Sequence, residues 1–320
     1  MGYEAVRIKI PASTANLGPG FDTLGMALSL YAWIEMKPAE QTTFHLYGDQ
    51  LSGIPQDKTN LIYKVAQAVF REAGVQLPEL EISMYSEIPL TRGLGSSASA
   101  IVGALVAANE LIGAPLSQNK LMDMATNLEK HPDNVGASLL GGIVTAAWDG
   151  THTKYIQFDA PDNLEVLVAI PDFQLSTSAA RGVLPTEVSL KDAVFNTSRT
   201  SLLTAALATG RLDLISFAMQ DVLHQPYRAS LVPGLTHVLE EACTHGALGA
   251  ALSGAGPTVL ALVDKNSSDK QDLEQFMQNT FSAEGITATT LWLKPCATGA
   301  NRLTIEKEDF FEAIVRGVQS

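Results

Sequence analysis

Cysteine is nearly absent: Cys243 and Cys296 are the only two in 320 residues. Their spacing suits neither a metal knuckle nor a disulfide framework, so they read as two free, buried thiols of a reducing, cytoplasmic compartment. Basic residues are scarce as well, 21 against 34 acids, for a formal net charge of −13. That balance argues against nucleic acid or an anionic membrane as the main partner, and any anionic ligand must then be held by a local cluster of donors. Long apolar runs are missing too. None reaches the roughly 18 to 20 residues of a membrane span, and the richest stretch, 98–108, is Ala-laden and stops at Asn109 and Glu110. The first ten residues carry Arg7 and Lys9 and lack the apolar core of a signal segment. Met1-Gly2 is followed at position six by Val6, where a myristoylation start needs Ser or Thr. The six histidines show no metal-ligand spacing. What remains is a globular chain, 46% apolar and modestly charged, long enough for two domains.

Alternation over Val6, Ile8, Ile10 and over Leu28, Leu30, Ala32, Ile34, Met36 predicts two strands. Others are expected near 44–46, 80–84, 142–147 and 153–158. Helices are expected over 60–73, with Asn60 as cap and Gly74 as stop, over 98–112 and over 117–129. After the turn Asp159-Ala160-Pro161-Asp162 the pattern restarts. Strands follow near 164–170, 258–263, 289–293 and 302–305, with helices over 199–208, 212–223, 235–244, 273–281 and 309–315. Strands that come partly in runs make the chain α+β. We divide it into an N-terminal unit, 1–160, and a C-terminal unit, 161–320.

The most informative segment is Pro89-Leu90-Thr91-Arg92-Gly93-Leu94-Gly95-Ser96-Ser97-Ala98-Ser99. It follows the strand pattern of Leu80, Ile82 and Met84 and opens an Ala-rich helix. Two glycines allow close backbone approach and positive φ, and the helix N-terminus aims unpaired N–H groups and its positive dipole end at an anion. The P-loop pattern is excluded, because no Gly-rich segment supplies its lysine. The dinucleotide fingerprint matches loosely as Gly93, Gly95 and Ala98, but Pro89–Arg92 separate strand from glycines and Glu110 comes early for the ribose acid. A phosphate-holding loop is the better reading; a purely structural helix start is the bland one.

Three further segments crowd polar groups around turns. Pro11–Asp22 carries Ser13, Thr14, Asn16 and Asp22 about a Gly-Pro-Gly turn, which is also ordinary turn chemistry. Glu129-Lys130-His131-Pro132-Asp133-Asn134 closes a helix; a carboxylate here, a serine hydroxyl and nucleotide phosphates would together suit magnesium. Leu248–Pro257 is a second Gly-rich turn entering a strand.

In this order the four segments resemble the GHMP small-molecule kinases, and among them the homoserine kinase family, over essentially the whole chain. Thr14–Asp22 is the discriminating stretch, supported by Ser176–Arg181 and Gln225–Arg228. The resemblance implies a two-domain fold, with a mixed sheet and helices first and a ferredoxin-like α/β domain second. It implies ATP-dependent phosphorylation of the side-chain hydroxyl of L-homoserine to O-phospho-L-homoserine in threonine biosynthesis, with ATP and Mg2+. Pro89–Ser99 would form the ATP loop, Gly93, Gly95, Ser96 and Ser97 wrapping the phosphates and Asn60 lying near adenine. Ser97 and Glu129 would hold magnesium, with Asp133 as the alternative carboxylate, since Lys130 stands where the family carries glycine. Asn16 and Asp22 would meet the substrate amino group, and Arg181 and Arg228 its carboxylate. Asn134 would touch the receiving hydroxyl, and Gly254 and Gly256 would support both loops. Another small hydroxylated metabolite as acceptor, or a non-catalytic regulator of the same fold, are the competing readings. The expected partner is a small molecule, and a homodimer is compatible with the sequence.

Overall fold

The computed structural model describes residues 4–305 and 310–315. The chain opens with a long hairpin, β1 (Val6–Asn16) and β2 (Gly20–Pro38). It pairs antiparallel from Val6 opposite Met36 to Asn16 opposite Gly20. Sequence alternation marks only the outer ends of these strands. Their inner ends carry Ser13, Thr14 and Asn16, which are buried despite their polarity because each finds a hydrogen-bond partner inside the protein.

The first half continues through β3 (Thr43–Tyr47), α1 (Leu61–Glu72), β4 (Leu80–Ser86) and α2 (Ser96–Leu111). It ends with α3 (Gln118–Glu129), α4 (Asp133–Leu140), β5 (Ile143–Trp148) and β6 (Thr153–Phe158). α1 is capped by Asn60, as its sequence predicts, and α3 by Ser117. α2, rich in small residues, is buried on nearly every side against α1, β1 and β2. The second half runs β7 (Leu164–Pro171), α5 (Thr177–Gly182), α6 (Leu190–Thr209), α7 (Ile215–Ala218), α8 (Gln225–Arg228) and α9 (Leu235–Glu241). There follow β8 (Gly249–Leu252), β9 (Val259–Asp264), α10 (Lys270–Ala283), β10 (Ala288–Leu293), β11 (Asn301–Leu303) and α11 (Phe310–Val315). Asp309, expected in that last helix, lies outside the described residues.

The first sheet has the order β11-β1-β2-β4-β3, with β5 also on β2 and β6 on β5. β3 runs parallel to β4 in an otherwise antiparallel sheet, so the sheet is mixed. The second is antiparallel, in the order β10-β7-β9-β8. Strand, helices, two strands, helix, strand in that order is the ferredoxin-like arrangement, and the whole is the two-domain α+β fold expected. β11 returns to the first sheet, setting Ile8 opposite Arg302. Three apolar clusters hold these layers: one beneath α1–α3, one under α9 and α10, and a middle one joining Leu24 and Met26 of β2 to Val166, Leu260 and Leu262 of the second sheet.

Two helices differ from their sequence expectation for local reasons. The 212–223 segment breaks after α7 because the Asp221 carboxylate accepts from the backbone N–H groups of Leu223, His224 and Gln225 and turns the chain. α6 starts at Leu190, not near 199: Ser189 caps it, and Leu190 and Val194, apolar yet exposed, blur the apolar periodicity of its first turns. Both cysteines are free, but Cys243 is exposed and Cys296 half-buried, so neither is the buried thiol expected. Among the described residues no helix is long and apolar enough to cross a membrane.

The fit of α4 against β2 is tight at Gly25, where a Cβ would stand 2.2 Å from the carbonyl oxygen of Asp133. Gly25→Ala is expected to destabilise the protein by about 1–3 kcal/mol, read as a lower midpoint in urea. An unchanged midpoint would mean that α4 yields without cost.

Candidate active site

Four backbone turns meet around a cavity of about 100 Å³ between the two sheets. The first is the loop entering α2. Gly95 precedes the helix with φ 72, and among the described residues no side chain caps it. The first-turn N–H groups and the positive end of a 16-residue helix therefore face the cavity. Gly93 has φ 84, and a Cβ there would meet Ser253 O at 2.4 Å; at Gly95 it would meet Ser13 Oγ at 2.1 Å. Glycine is demanded by both conformation and space. The loop is held from the second half of the chain. Ser253 Oγ donates to Gly93 O at 2.5 Å, Thr258 N to Arg92 O at 3.2 Å and Arg92 Nη2 to Asp172 O at 2.7 Å.

Within the expected ATP stretch, Thr91, Gly93, Gly95, Ser96 and Ser97 line the cavity. Pro89, Leu90 and Arg92 instead border a separate hollow shared with Asp49 and Asp172. Leu94, Ala98 and Ser99 are buried beneath the loop. Asn60 is not brought to the cavity. Its carbonyl oxygen accepts from Ile62 N at 2.8 Å and its amide donates to Pro55 O at 2.6 Å, so the side chain is occupied as a helix cap.

The second turn joins α3 to α4. Lys130 adopts φ 72, the left-handed conformation that favours glycine, and its N–H bonds Thr126 O at 2.7 Å. The turn therefore forms with lysine, and Glu129 remains on the cavity wall. There Ser97 Oγ donates to Glu129 Oε2 at 3.1 Å, bringing together two oxygens from the loop and the helix end. Asp133 is engaged differently. Its Oδ1 accepts from Asn134 N at 2.7 Å and lies 2.8 Å from His131 Nδ1. Burial opposes a charge on His131, but Asp133, Glu129 and Asp22 outweigh it and raise its pKa.

Asn134 has a defined orientation. Ser138 Oγ donates to Ser13 Oγ at 3.1 Å, and Ser13 Oγ donates to Asn134 Oδ1, also at 3.1 Å. The amide oxygen is thus tied to β1, leaving the Nδ2 donor as the face Asn134 turns to the cavity it lines.

The third turn carries Asn16 and Asp22, both with positive φ (72 and 56). Asn16 spans it, accepting from Asp22 N at 3.1 Å and donating to Gly254 O at 2.9 Å. Asp22 makes a two-point pair with Arg181, at 2.6 and 3.0 Å. Burial opposes the Arg181 charge, and Asp22 more than offsets it, so its pKa rises. Arg228, 1% exposed, donates from Nε to Ala180 O and from Nη1 to Gly254 O. Burial and then the neighbouring Arg181 push its pKa down to about 10, which leaves it charged at neutral pH. The fourth turn supplies Gly254, Ala255 and Gly256 to the wall.

The cavity thus has an anion cradle at one pole and a carboxylate with two guanidinium groups at the other. His131, Phe21, Leu175 and Thr177, to which the sequence assigns no individual role, also line it. Phe21 sits 5.5 Å from the Arg181 guanidinium and 5.3 Å from that of Arg228. Its place beside Asp22 was the only local signal.

Residues 60–142 match the model for the GHMP kinases N terminal domain, and residues 203–283 that for the GHMP kinases C terminal domain. The chain is 45% identical over 293 residues to a homoserine kinase of Moorella thermoacetica, covering 92% of this chain and 98% of that one. It is 46% identical over 284 residues to a homoserine kinase of Deinococcus radiodurans, covering 89% and 92%. The crystal structure of homoserine kinase from Cytophaga hutchinsonii superposes with a TM-score of 0.84 at 27% identity, covering 93% of this chain and 97% of that one.

The cradle can be tested without turnover. Gly95→Ala combines left-handed strain with the Ser13 clash; about 2 kcal/mol of such strain is worth about thirtyfold in affinity. Calorimetric titration with a nucleoside triphosphate should read that loss. Undiminished binding would take the loop out of the site.

Proposed function

The chain belongs to the GHMP kinases, and among them to the homoserine kinases. From that premise we propose that it transfers the γ-phosphoryl group of ATP to the side-chain hydroxyl of L-homoserine, giving O-phospho-L-homoserine on the route to threonine, in the cytoplasm. One observation carries the reading: a single cavity joins an uncapped helix N-terminus to the Asp22, Arg181 and Arg228 cluster. The first suits a phosphate chain, the second a zwitterion.

In this reading the first-turn N–H groups of α2 and the Gly93–Ser97 backbone bind the phosphates. Ser97 Oγ and Glu129 Oε2 are hard oxygen donors 3.1 Å apart, a pair that fits magnesium. Asp133, already committed to His131 and Asn134 N, is the weaker candidate. Bound there, the ion would neutralise charge on the phosphate oxygens. Asp22 takes the substrate ammonium, while Arg181 and Arg228 take its carboxylate, a match for the planar guanidinium fork. A zwitterion satisfies both members of the Asp22–Arg181 pair as it separates them. Asn16 orders this end of the site through its bonds to Asp22 and Gly254.

Asn134 offers its amide donor to oxygen and cannot serve as a base. The carboxylates near it are taken, Asp22 by the substrate ammonium and Asp133 by His131. The hydroxyl therefore attacks un-ionised, and its proton leaves late, to a phosphate oxygen. Phosphoryl transfer tolerates this, because its loose transition state depends on positioning and charge stabilisation more than on covalent help.

ADP release from MgATP should be confined to L-homoserine when L-threonine, L-serine, mevalonate and galactose are offered beside it. Turnover with a different alcohol would overturn the substrate assignment. Arg228→Ala should raise the homoserine KM by about thirtyfold or more while the ATP KM stays near its original value. Glu129→Gln should lower kcat and shift the magnesium dependence; an unaltered magnesium titration would transfer the metal to Asp133.

A further inference from the structure

His224 is completely buried, and nothing in the phosphoryl-transfer reading uses it. Its ring nitrogens have fixed partners. Nε2 lies 2.7 Å from Gly18 O and 3.5 Å from Asp221 Oδ2, both acceptors, so this nitrogen carries the proton. Nδ1, 3.2 Å from Arg228 Nη1, then turns a lone pair to a group that can only donate. The ring also stacks on Phe21, with centroids 5.1 Å apart. Burial dominates its ionisation and holds its pKa below the ordinary value, Asp221 pulling upward and Arg228 pushing down. The imidazole is therefore neutral where Arg228 needs an acceptor.

Arg228 is held on three sides. Nε donates to Ala180 O at 3.1 Å, and Nη1 reaches both Gly254 O at 2.9 Å and the His224 lone pair. Carbonyls from α5 and from the Gly254 turn fix two directions of the fork, and His224 supplies the third. Nη2 is the edge left for the cavity that Arg228 lines. The same ring, through Gly18, grips the turn between β1 and β2 that carries Asn16 and Asp22.

We propose that His224 is a positioning residue for substrate recognition: its Nδ1 orients the Arg228 fork toward the substrate carboxylate, while its Nε2–H on Gly18 O anchors the ring in the fold. The ammonium-binding and carboxylate-binding groups come from opposite halves of the chain, and one imidazole directs the fork of the second. The inference rests on Arg228 holding the carboxylate.

Two amides separate the two nitrogens. The carbonyl of asparagine can replace Nδ1 as an acceptor but falls short of Gly18, whereas glutamine reaches Gly18 with its N–H and leaves Arg228 without an acceptor. His224→Gln should raise the homoserine KM about tenfold or more, the worth of a hydrogen bond to a charged group. Its kcat and ATP KM should change by less than about twofold. His224→Asn should keep the homoserine KM within about threefold, even where its melting temperature falls further. A merely structural histidine predicts the reverse ranking, with homoserine KM following melting temperature; that result, or equal KM values in both variants, overturns the proposal. Should His224→Gln fail to fold, His224→Asn decides alone, since a raised homoserine KM there contradicts the role of Nδ1. Arg228→Ala is measured alongside. If it leaves the homoserine KM unchanged, the carboxylate reading falls and the inference with it. If it raises KM while His224→Gln does not, only the inference falls.

Discussion

The carbonyl oxygen of Gly254 accepts from Asn16 Nδ2 and from Arg228 Nη1, each at 2.9 Å. These donors come from the two halves of the chain, and both are buried. Next to it, Ser253 Oγ sits 2.8 Å from Thr14 Oγ1 and donates to the carbonyl of Gly93. Gly254 N in turn donates to Ala15 O at 3.1 Å. One short turn thus fastens the first strand, the phosphate loop and the second arginine helix. In a water-poor setting each unmet polar group would cost far more than its bond returns. The turn therefore leaves the surrounding segments little freedom, and the distance between the two poles of the cavity is set by it.

Charge is used locally in this protein. The chain carries a net charge of −13, which by itself repels a nucleotide. The cavity sets against that bias the end of α2 and two arginines, each balanced in its own way. Arg181 is neutralised by Asp22, and Arg228 is surrounded by carbonyl oxygens and a neutral imidazole. A guanidinium held by neutral acceptors keeps its charge available to an incoming anion, whereas one held by a carboxylate must first exchange partners. The two arginines are therefore unequal, and the buried one is the more fully prepared.

The glycine turn before α2 could be read in advance because its geometry is local. Gly93, Gly95 and the serines after them form a turn whose meaning lies within a dozen residues, and the helix that follows begins at Ser96, close to where its sequence suggests. The Asn60 side chain was equally local in its capping role, and that role is the one it occupies. Lys130 shows the limit of pattern matching, since a left-handed turn forms there without glycine. His131 and His224 carried no signal at all. A histidine acquires meaning only from what faces its two nitrogens, and those partners lie in other segments, His224 being 206 residues from Gly18.

The sequence by itself determined many of the strands and helices, the glycine turn before α2 and the identity of the charged groups, because each follows from neighbours a few residues away. Tertiary structure alone decided which of those groups face one another. It tied the amide oxygen of Asn134 to Ser13, paired Asp22 with Arg181 and set His224 against Arg228. It also sent the last strand back to the first sheet. The physical reason is the range of the forces. Helix caps and turns are satisfied within the backbone that bears them, while a buried hydrogen bond between distant segments exists only after the apolar layers between the two sheets have closed.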